Sequence, residues 1–191
     1  MIARILRVVT LPPFVTGSTI LILFFSGKII TFKELFMLIG CLVVFPLLAY
    51  PFREIFQINT DRRQGQRSVA MVFSALSYSY GLIWSITTEV SLVTSVLFSS
   101  YFLSVIGLLI ANKLLKFHAS GHACSTTAPL ILMSWQMGWP YIIWGFILVV
   151  IVYYASLYLK QHTFSQLLSG STISVLAGII SITIFNNFST F

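Results

Sequence analysis

The stretch PYIIWGFILVVIVYYASLYL, residues 140–159, contains no charged side chain over 20 consecutive positions. A helix needs about 20 apolar residues to cross the hydrocarbon core of a bilayer. The apolar residues do not alternate with polar ones, as they would in a strand of a membrane barrel. Because backbone polar groups in lipid must be satisfied within the chain, the stretch predicts a membrane-spanning helix.

Blocks of this kind recur along the whole chain and predict an all-α, polytopic transmembrane helix bundle with about six to seven spans. We expect a single integral-membrane domain over residues 1–191. Hydrophobic residues make up 58% of the sequence and charged residues 8%, whereas about a quarter of the residues of a soluble domain are charged. The candidate spans are residues 10–27, 34–52, 68–86, 90–112, 124–138, 140–159 and 164–185.

The positive charges are distributed unevenly between the two faces that these spans define. One face holds nine of the 11 lysines and arginines, and the other holds only Lys28 and Lys33. Cytoplasmic loops are enriched in lysine and arginine, so we expect a multi-pass protein of the cell's inner (plasma) membrane with its basic face in the cytoplasm. The nine are Arg4, Arg7, Arg53, Arg62, Arg63, Arg67, Lys113, Lys116 and Lys160.

The basic face contains three polar clusters, of which the first is NTDRRQGQRS, residues 59–68. Arg62, Arg63 and Arg67 suit a solvated loop that sets topology or touches anionic headgroups. They equally suit a phosphate cradle, because a guanidinium binds two phosphate oxygens at once.

The second cluster is KFHASGHACS, residues 116–125, in which Ser120, Gly121 and His122 precede an apolar run. A helix N-terminus offers unpaired N–H groups and a positive dipole, which attract phosphate. Ser120 can both cap the helix and donate its hydroxyl, and Gly121 lets the backbone come close to a phosphate. His122 can give a proton to a leaving group. An ordinary N-cap beside an interfacial histidine explains the same residues. His118 either lines the pocket or faces headgroups.

The third cluster is SLYLKQHTFSQLLSG, residues 156–170. His162 stands at the start of the last apolar run, and Gln166 lies four residues later on the same helix face. The amide can fix the tautomer of the imidazole, and an oriented neutral imidazole can attack phosphorus to form a phosphohistidine. A histidine hydrogen-bonded at the membrane boundary is the alternative.

Together the clusters resemble the motifs of the type 2 phosphatidic acid phosphatase (PAP2) superfamily, which includes the vanadium haloperoxidases. QRSVAM resembles the end of the first motif and aligns Arg67 with its arginine, and ASGH resembles the Pro-Ser-Gly-His motif. ASLYLKQHTFSQ resembles the third motif, and HTFSQLLSG is similar to the His-Thr-x-x-Gln-x-x-x-Gly phrase of small prokaryotic members. The resemblance covers about residues 55–185 and implies a PAP2/haloperoxidase-like core.

The first and third motifs depart from the family pattern. Thr60 stands in place of the lysine, Ser68 replaces a proline, and Ala119 replaces the proline before Ser-Gly-His. Ser156 occupies the position of the third-motif arginine, which clamps phosphate in the family, and Gln166 occupies that of an aspartate. Lys116 and Lys160 can substitute for the arginine as point charges without its two-pronged geometry.

The resemblance implies a lipid phosphatase with His162 as nucleophile, His122 as proton donor and base, and Gln166 as orienting group. Phosphate would be held by Arg67, Arg62, Arg63, Ser120, Gly121, Lys116 and Lys160. The substrate would be an isoprenyl (di)phosphate or a phosphatidic-acid-like lipid. A catalytically impaired protein that binds or transports such a lipid, or scaffolds a partner, is the alternative. The four acidic residues form no carboxylate pair, so we expect no metal. We also expect no other cofactor and no nucleic-acid partner.

Overall fold

The computed structural model describes residues 2–29, 31–56 and 62–188, without the side chains of residues 2, 4, 5, 8, 62–64 and 188. Throughout these ranges the regular secondary structure is helical. The helices are α1 (Ile2–Val9), α2 (Pro12–Phe25), α3 (Phe32–Phe56), α4 (Arg62–Thr87), α5 (Leu92–Leu114), α6 (Gly121–Met137), α7 (Pro140–Tyr158) and α8 (Phe164–Phe188).

Five of these helices, α3, α4, α5, α7 and α8, are long and apolar enough to cross a membrane. The chain is therefore an all-helical, multi-pass membrane protein by length and composition, with fewer full-length spans in its described part than the six to seven predicted. The first and fifth predicted spans fall on α2 and α6, which have 14 and 17 residues. At 1.5 Å per residue α2 is about 21 Å long, short of the roughly 30 Å hydrocarbon core.

Helix α5 lies at the centre of the bundle and packs against α4, α6 and α8. Small polar side chains line its contacts, including buried Ser95, Ser99 and Ser104. The Ser181 hydroxyl of α8 donates to Ser99 Oγ at 2.9 Å. Small residues let membrane helices approach closely where no hydrophobic effect drives them together, which explains the serines at this contact.

A buried carboxylate joins the starts of α3 and α5 at one end of the bundle, here called the Glu34 end. Glu34 is 3% exposed. Its carboxylate accepts hydrogen bonds from the Ser91 backbone N–H at 3.1 Å and from the Thr94 hydroxyl at 2.6 Å. Both donors belong to the first turn of α5 or its cap, so the two helices begin side by side.

The opposite end of the bundle, here called the histidine end, is where α6 and α8 begin. The backbone N–H of Ser120, which precedes α6, donates to the carbonyl oxygen of Gln166 in α8 at 2.8 Å. Helix α5 arrives at this end through a π-helical turn, Ile110–Leu114. π-turns of this kind often mark functional sites, because they re-aim side chains within a helix.

Candidate functional site

Ser120 is the N-cap of α6, as its position before the apolar run predicted. Its Oγ accepts from the Ala123 backbone N–H at 3.3 Å, and the side chain is fully buried. Asn112, re-aimed by the π-turn of α5, donates through Nδ2 to the Ala119 carbonyl at 3.3 Å. Gly121 is exposed at the first position of the helix. The exposed N-terminus of α6 therefore lies at Gly121 and His122, and the buried Ser120 caps it.

A capping box starts α8 and also holds His162. Thr163 Oγ1 accepts from the Gln166 N–H at 3.4 Å, and Gln166 Oε1 accepts from the Thr163 N–H at 3.2 Å. This reciprocal pair is the S/T-x-x-E/Q pattern of helix starts. His162 Nδ1 lies 3.1 Å from the same Gln166 Oε1. The orienting role predicted for Gln166 is thus combined with an ordinary capping role.

The tautomer of neutral His162 follows from these contacts. The Thr163 N–H can only donate, so the oxygen of the Gln166 amide must face it, and an amide oxygen can only accept. His162 Nδ1 therefore carries the proton, and Nε2 keeps a lone pair. A neutral imidazole whose Nε2 is unprotonated is the form that can act as a nucleophile.

Helix α8 holds the start of α6 by direct backbone contact. Besides the Ser120–Gln166 bond, a Cβ at Gly170 would lie 3.3 Å from the Ser120 nitrogen and in hard collision with its carbonyl oxygen. Only a glycine fits at that point. Gln166 and Gly170 lie one turn apart on the same face of α8, so the phrase His-Thr-x-x-Gln-x-x-x-Gly has a packing explanation here as well as a chemical one.

His122 contacts a residue that precedes α2. Its Nε2 lies 3.3 Å from Thr10 Oγ1, and the Thr10 hydroxyl donates to the Leu6 carbonyl at 2.8 Å. Because that hydroxyl proton is already used, Nε2 of His122 donates to Thr10, and Nδ1 is the atom left to take up or release a proton. Thr10 is buried and His122 is half-buried.

The two histidines are close enough to influence each other electrostatically. Burial, and after it the positive charges of Arg7 and His162, lower the pKa of His122 from 6.5 to about 4. His122 is therefore neutral near pH 7. An anion bound between these groups would offset both positive charges and raise this pKa again.

The low pKa of His122 predicts that acid destabilises the protein through this residue. In the unfolded chain His122 binds a proton near pH 6.5, but in the folded chain only near pH 4, so stability falls as pH decreases between these values. Between pH 7 and pH 4 the free energy of unfolding of the parent should fall by up to about 3 kcal/mol more than that of His122→Gln. Thermal unfolding in detergent over this pH range measures the difference. His118→Gln, at an exposed position, should follow the parent, and parallel curves for the parent and His122→Gln would contradict the assignment.

Both lysines predicted to bind phosphate stand at helix-ending positions with left-handed backbone. Lys160 has φ 49° and Lys116 has φ 55°. After α7, the Lys160 N–H donates to the Leu157 carbonyl at 2.9 Å and the Gln161 N–H to the Ser156 carbonyl at 3.0 Å, which is a Schellman motif. Glycine is the usual residue at this position, and any other L-residue costs about 1 kcal/mol there.

The predicted arginine cradle is only partly described. Arg67 is exposed in the first turns of α4, and the side chains of Arg62 and Arg63 lie outside the described residues. Nearby, Gln66 Nε2 donates to Glu54 Oε1 at 3.1 Å, so the start of α4 is tied to the end of α3. A phosphate-binding role for these arginines stays a prediction.

Arg7 and Thr10 are the site neighbours that sequence analysis missed. Arg7 was assigned to topology alone, because nothing in its local sequence connects it to a histidine more than 100 positions away. The spacing of Arg7 and Thr10, three residues apart and therefore on one helix face, is the signal that was available. Among the described residues, no group of three or more His, Cys, Asp or Glu side chains is placed to hold a metal ion.

Comparison of the chain with protein-family models, with curated proteins and with solved structures finds no match. The PAP2 resemblance therefore depends on the motif residues alone.

Proposed function

We propose that the protein is a membrane phosphatase that hydrolyses the phosphate ester or diphosphate of a lipid alcohol through a phosphohistidine on His162. The observation that supports this best is the meeting of two histidines from distant parts of the chain at one end of the bundle, near a cation. His122 and His162 lie at the starts of two helices joined by the Ser120–Gln166 bond. The positive charge of Arg7, and that of His162 when it is protonated, lower the pKa of His122, so both groups lie within electrostatic range of it.

In the proposed first step, the Nε2 lone pair of His162 forms a bond to the terminal phosphorus. The bond from that phosphorus to the leaving oxygen breaks, which releases a lipid alcohol from a phosphate ester or a lipid monophosphate from a diphosphate. The proton on Nδ1 stays in its hydrogen bond to Gln166. The amide of Gln166 orients the ring but cannot neutralise the charge that it gains, unlike the aspartate of the resembling motif. Lys116, Lys160, Arg67 and the Gly121 amide would stabilise the phosphoryl oxygens.

His122 serves both halves of the reaction in this proposal. Substrate phosphate raises the pKa of His122, so that a protonated His122 gives its proton to the departing lipid oxygen. The neutral ring then takes a proton from water as the water oxygen attacks phosphorus and the bond to His162 breaks. The low pKa of His122 keeps its ring unprotonated near pH 7, which is the form that a base requires.

The substrate in this proposal approaches from the bilayer. The helices present exposed apolar side chains such as Phe146, Ile147 and Leu168 on their outer surfaces, as lipid-facing helices do. An isoprenyl (di)phosphate or a phosphatidic-acid-like lipid would keep its tail among them and place its headgroup at the histidine end. A cytoplasmic position of that end in the inner membrane follows from the excess of lysine and arginine there, and favours a prenyl diphosphate made in the cytosol.

Non-hydrolytic binding, transport or scaffolding is the second candidate, favoured by Ser156. This residue stands where the family has a phosphate-clamping arginine, and it is 1% exposed. The deciding assay is phosphate release by the purified full-length protein from farnesyl diphosphate and dioleoyl phosphatidic acid in lipid nanodiscs. Release from either lipid supports the phosphatase. Binding of both without release supports the second candidate.

Replacing Lys160 with glycine should separate its structural cost from its proposed role. Glycine relieves the left-handed strain, so Lys160→Gly should raise the free energy of unfolding by about 1 kcal/mol. The same change removes a cation beside His162 and should lower phosphate release about tenfold or more. Melting temperature and turnover are measured together, with Lys113→Ala as the control for loss of an exposed lysine. If the variant is stabilised but keeps the parental turnover, Lys160 has only a structural role at the end of α7.

A further inference from the structure

The last turn of α1 lies against the candidate site. Thr10, the residue after this helix, continues its hydrogen bonding through the bonds to Leu6 and contacts His122 directly. Arg7 lies one turn before Thr10 and is half-buried. The N-terminal segment is therefore part of the wall around His122, although it lies outside the stretch that resembles PAP2.

Helix α1 packs against α7, the helix that contains Ser156. Ser156 is buried, and its Oγ has no hydrogen-bond partner among the described residues. The resemblance would place a guanidinium on α7 at the position of Ser156, and Arg7 provides one on the helix packed against α7.

We infer that Arg7 supplies the guanidinium that holds the phosphate, in place of the arginine that Ser156 has replaced, and that Thr10 positions His122 beside it. This inference rests on the proposed function for its substrate, a phosphorylated lipid, but its ligand chemistry is the phosphate group alone. A guanidinium grips two oxygens of one phosphate, which neither Lys116 nor Lys160 can do. Arg7 lies one helical turn before Thr10, and Thr10 Oγ1 is 3.3 Å from His122 Nε2, so the fold places Arg7 near His122 at the histidine end.

The probe for this inference is inorganic phosphate, which requires no knowledge of the lipid. Binding of phosphate to the full-length protein in nanodiscs is measured by calorimetry for the parent, Arg7→Gln, Arg7→Lys and Lys28→Gln. Lys28 is exposed beyond the far end of α2, about 21 Å along that helix, and controls for loss of one positive charge. Melting temperatures show that each variant is folded.

Arg7→Gln should weaken phosphate binding by about 10- to 100-fold, as expected for loss of hydrogen bonds to a charged group. Arg7→Lys should bind at an intermediate strength, and Lys28→Gln should match the parent. Equal binding by Arg7→Gln and Lys28→Gln would overturn the inference. If Arg7→Gln does not fold, binding by Arg7→Lys that equals that of Lys28→Gln would overturn it instead.

Phosphate release from the two lipids separates this inference from the proposed function. Binding that depends on Arg7 without release of phosphate from either lipid would reject the phosphatase and support the anion site. Release that depends on His162 but is unaffected in Arg7→Gln would support the phosphatase and reject the role of Arg7.

Discussion

Replacing His162 with alanine is expected to lower the rate of phosphate release by about 10⁴-fold or more, because it removes the atom that forms the bond to phosphorus. The fold should survive, since the capping box of α8 is made by Thr163 and Gln166 without the imidazole. Turnover of farnesyl diphosphate and dioleoyl phosphatidic acid by the purified protein measures the effect.

His118 provides the matched control for this experiment. It is also a histidine of the histidine end, but it is exposed in the loop before α6. His118→Ala should keep turnover within a few-fold of the parent, on the interpretation that it faces headgroups. If His162→Ala stays folded and turns over lipid at the parental rate, His162 has no part in the mechanism. It is then only a hydrogen-bonded histidine at the membrane boundary.

Replacing Gly170 with alanine is expected to damage both stability and activity. The added methyl would collide with the Ser120 carbonyl oxygen, and because that atom belongs to the backbone it cannot rotate away. Overpacking of this kind costs about 1–3 kcal/mol. To relieve it, the start of α6 must move away from α8, which separates His122 from His162. A misplacement of about 1 Å in a catalytic group can cost about 100-fold in rate.

Gly40→Ala is the control, because an added Cβ at Gly40 meets nothing within 4 Å. It should leave activity unchanged and stability equal or slightly improved, as helix propensity predicts. Melting temperature and turnover are measured for both variants. Parental values of both quantities in Gly170→Ala would contradict the close contact between the two helices.

Much of the helical framework was predictable because a chain segment in lipid must satisfy its own backbone hydrogen bonds, which a helix does. Long uncharged runs predicted the helices from α3 to α8, with boundaries that differ by up to six residues, the largest difference being at the start of α4. Serine before an apolar run predicted the cap of α6, and the spacing of His162 and Gln166 predicted their hydrogen bond. Each of these features depends on residues within about one helical turn of each other.

Three features were not predicted, and one of them, the position of Arg7, depends on tertiary contact. The run at residues 10–27 is apolar enough for a span, but Pro12 and the turn after Phe25 limit α2 to 14 residues. Arg7 gave a topology signal in the sequence, and only the packing of α1 shows that it lies beside His122. Lys160 gave no sign of its left-handed backbone, because the residue usual there is glycine.

The central claim is that His162 forms a covalent bond with a phosphoryl group, and oxygen exchange between water and inorganic phosphate tests it without a known lipid. Nε2 of His162 would attack phosphorus and release water. Reversal of the step in ¹⁸O-labelled water would then place a labelled oxygen on phosphate, which mass spectrometry detects. The account predicts exchange by the parent, slower exchange by His122→Gln, and none by His162→Ala. Absence of exchange in the folded parent, or exchange that persists in His162→Ala, would contradict it.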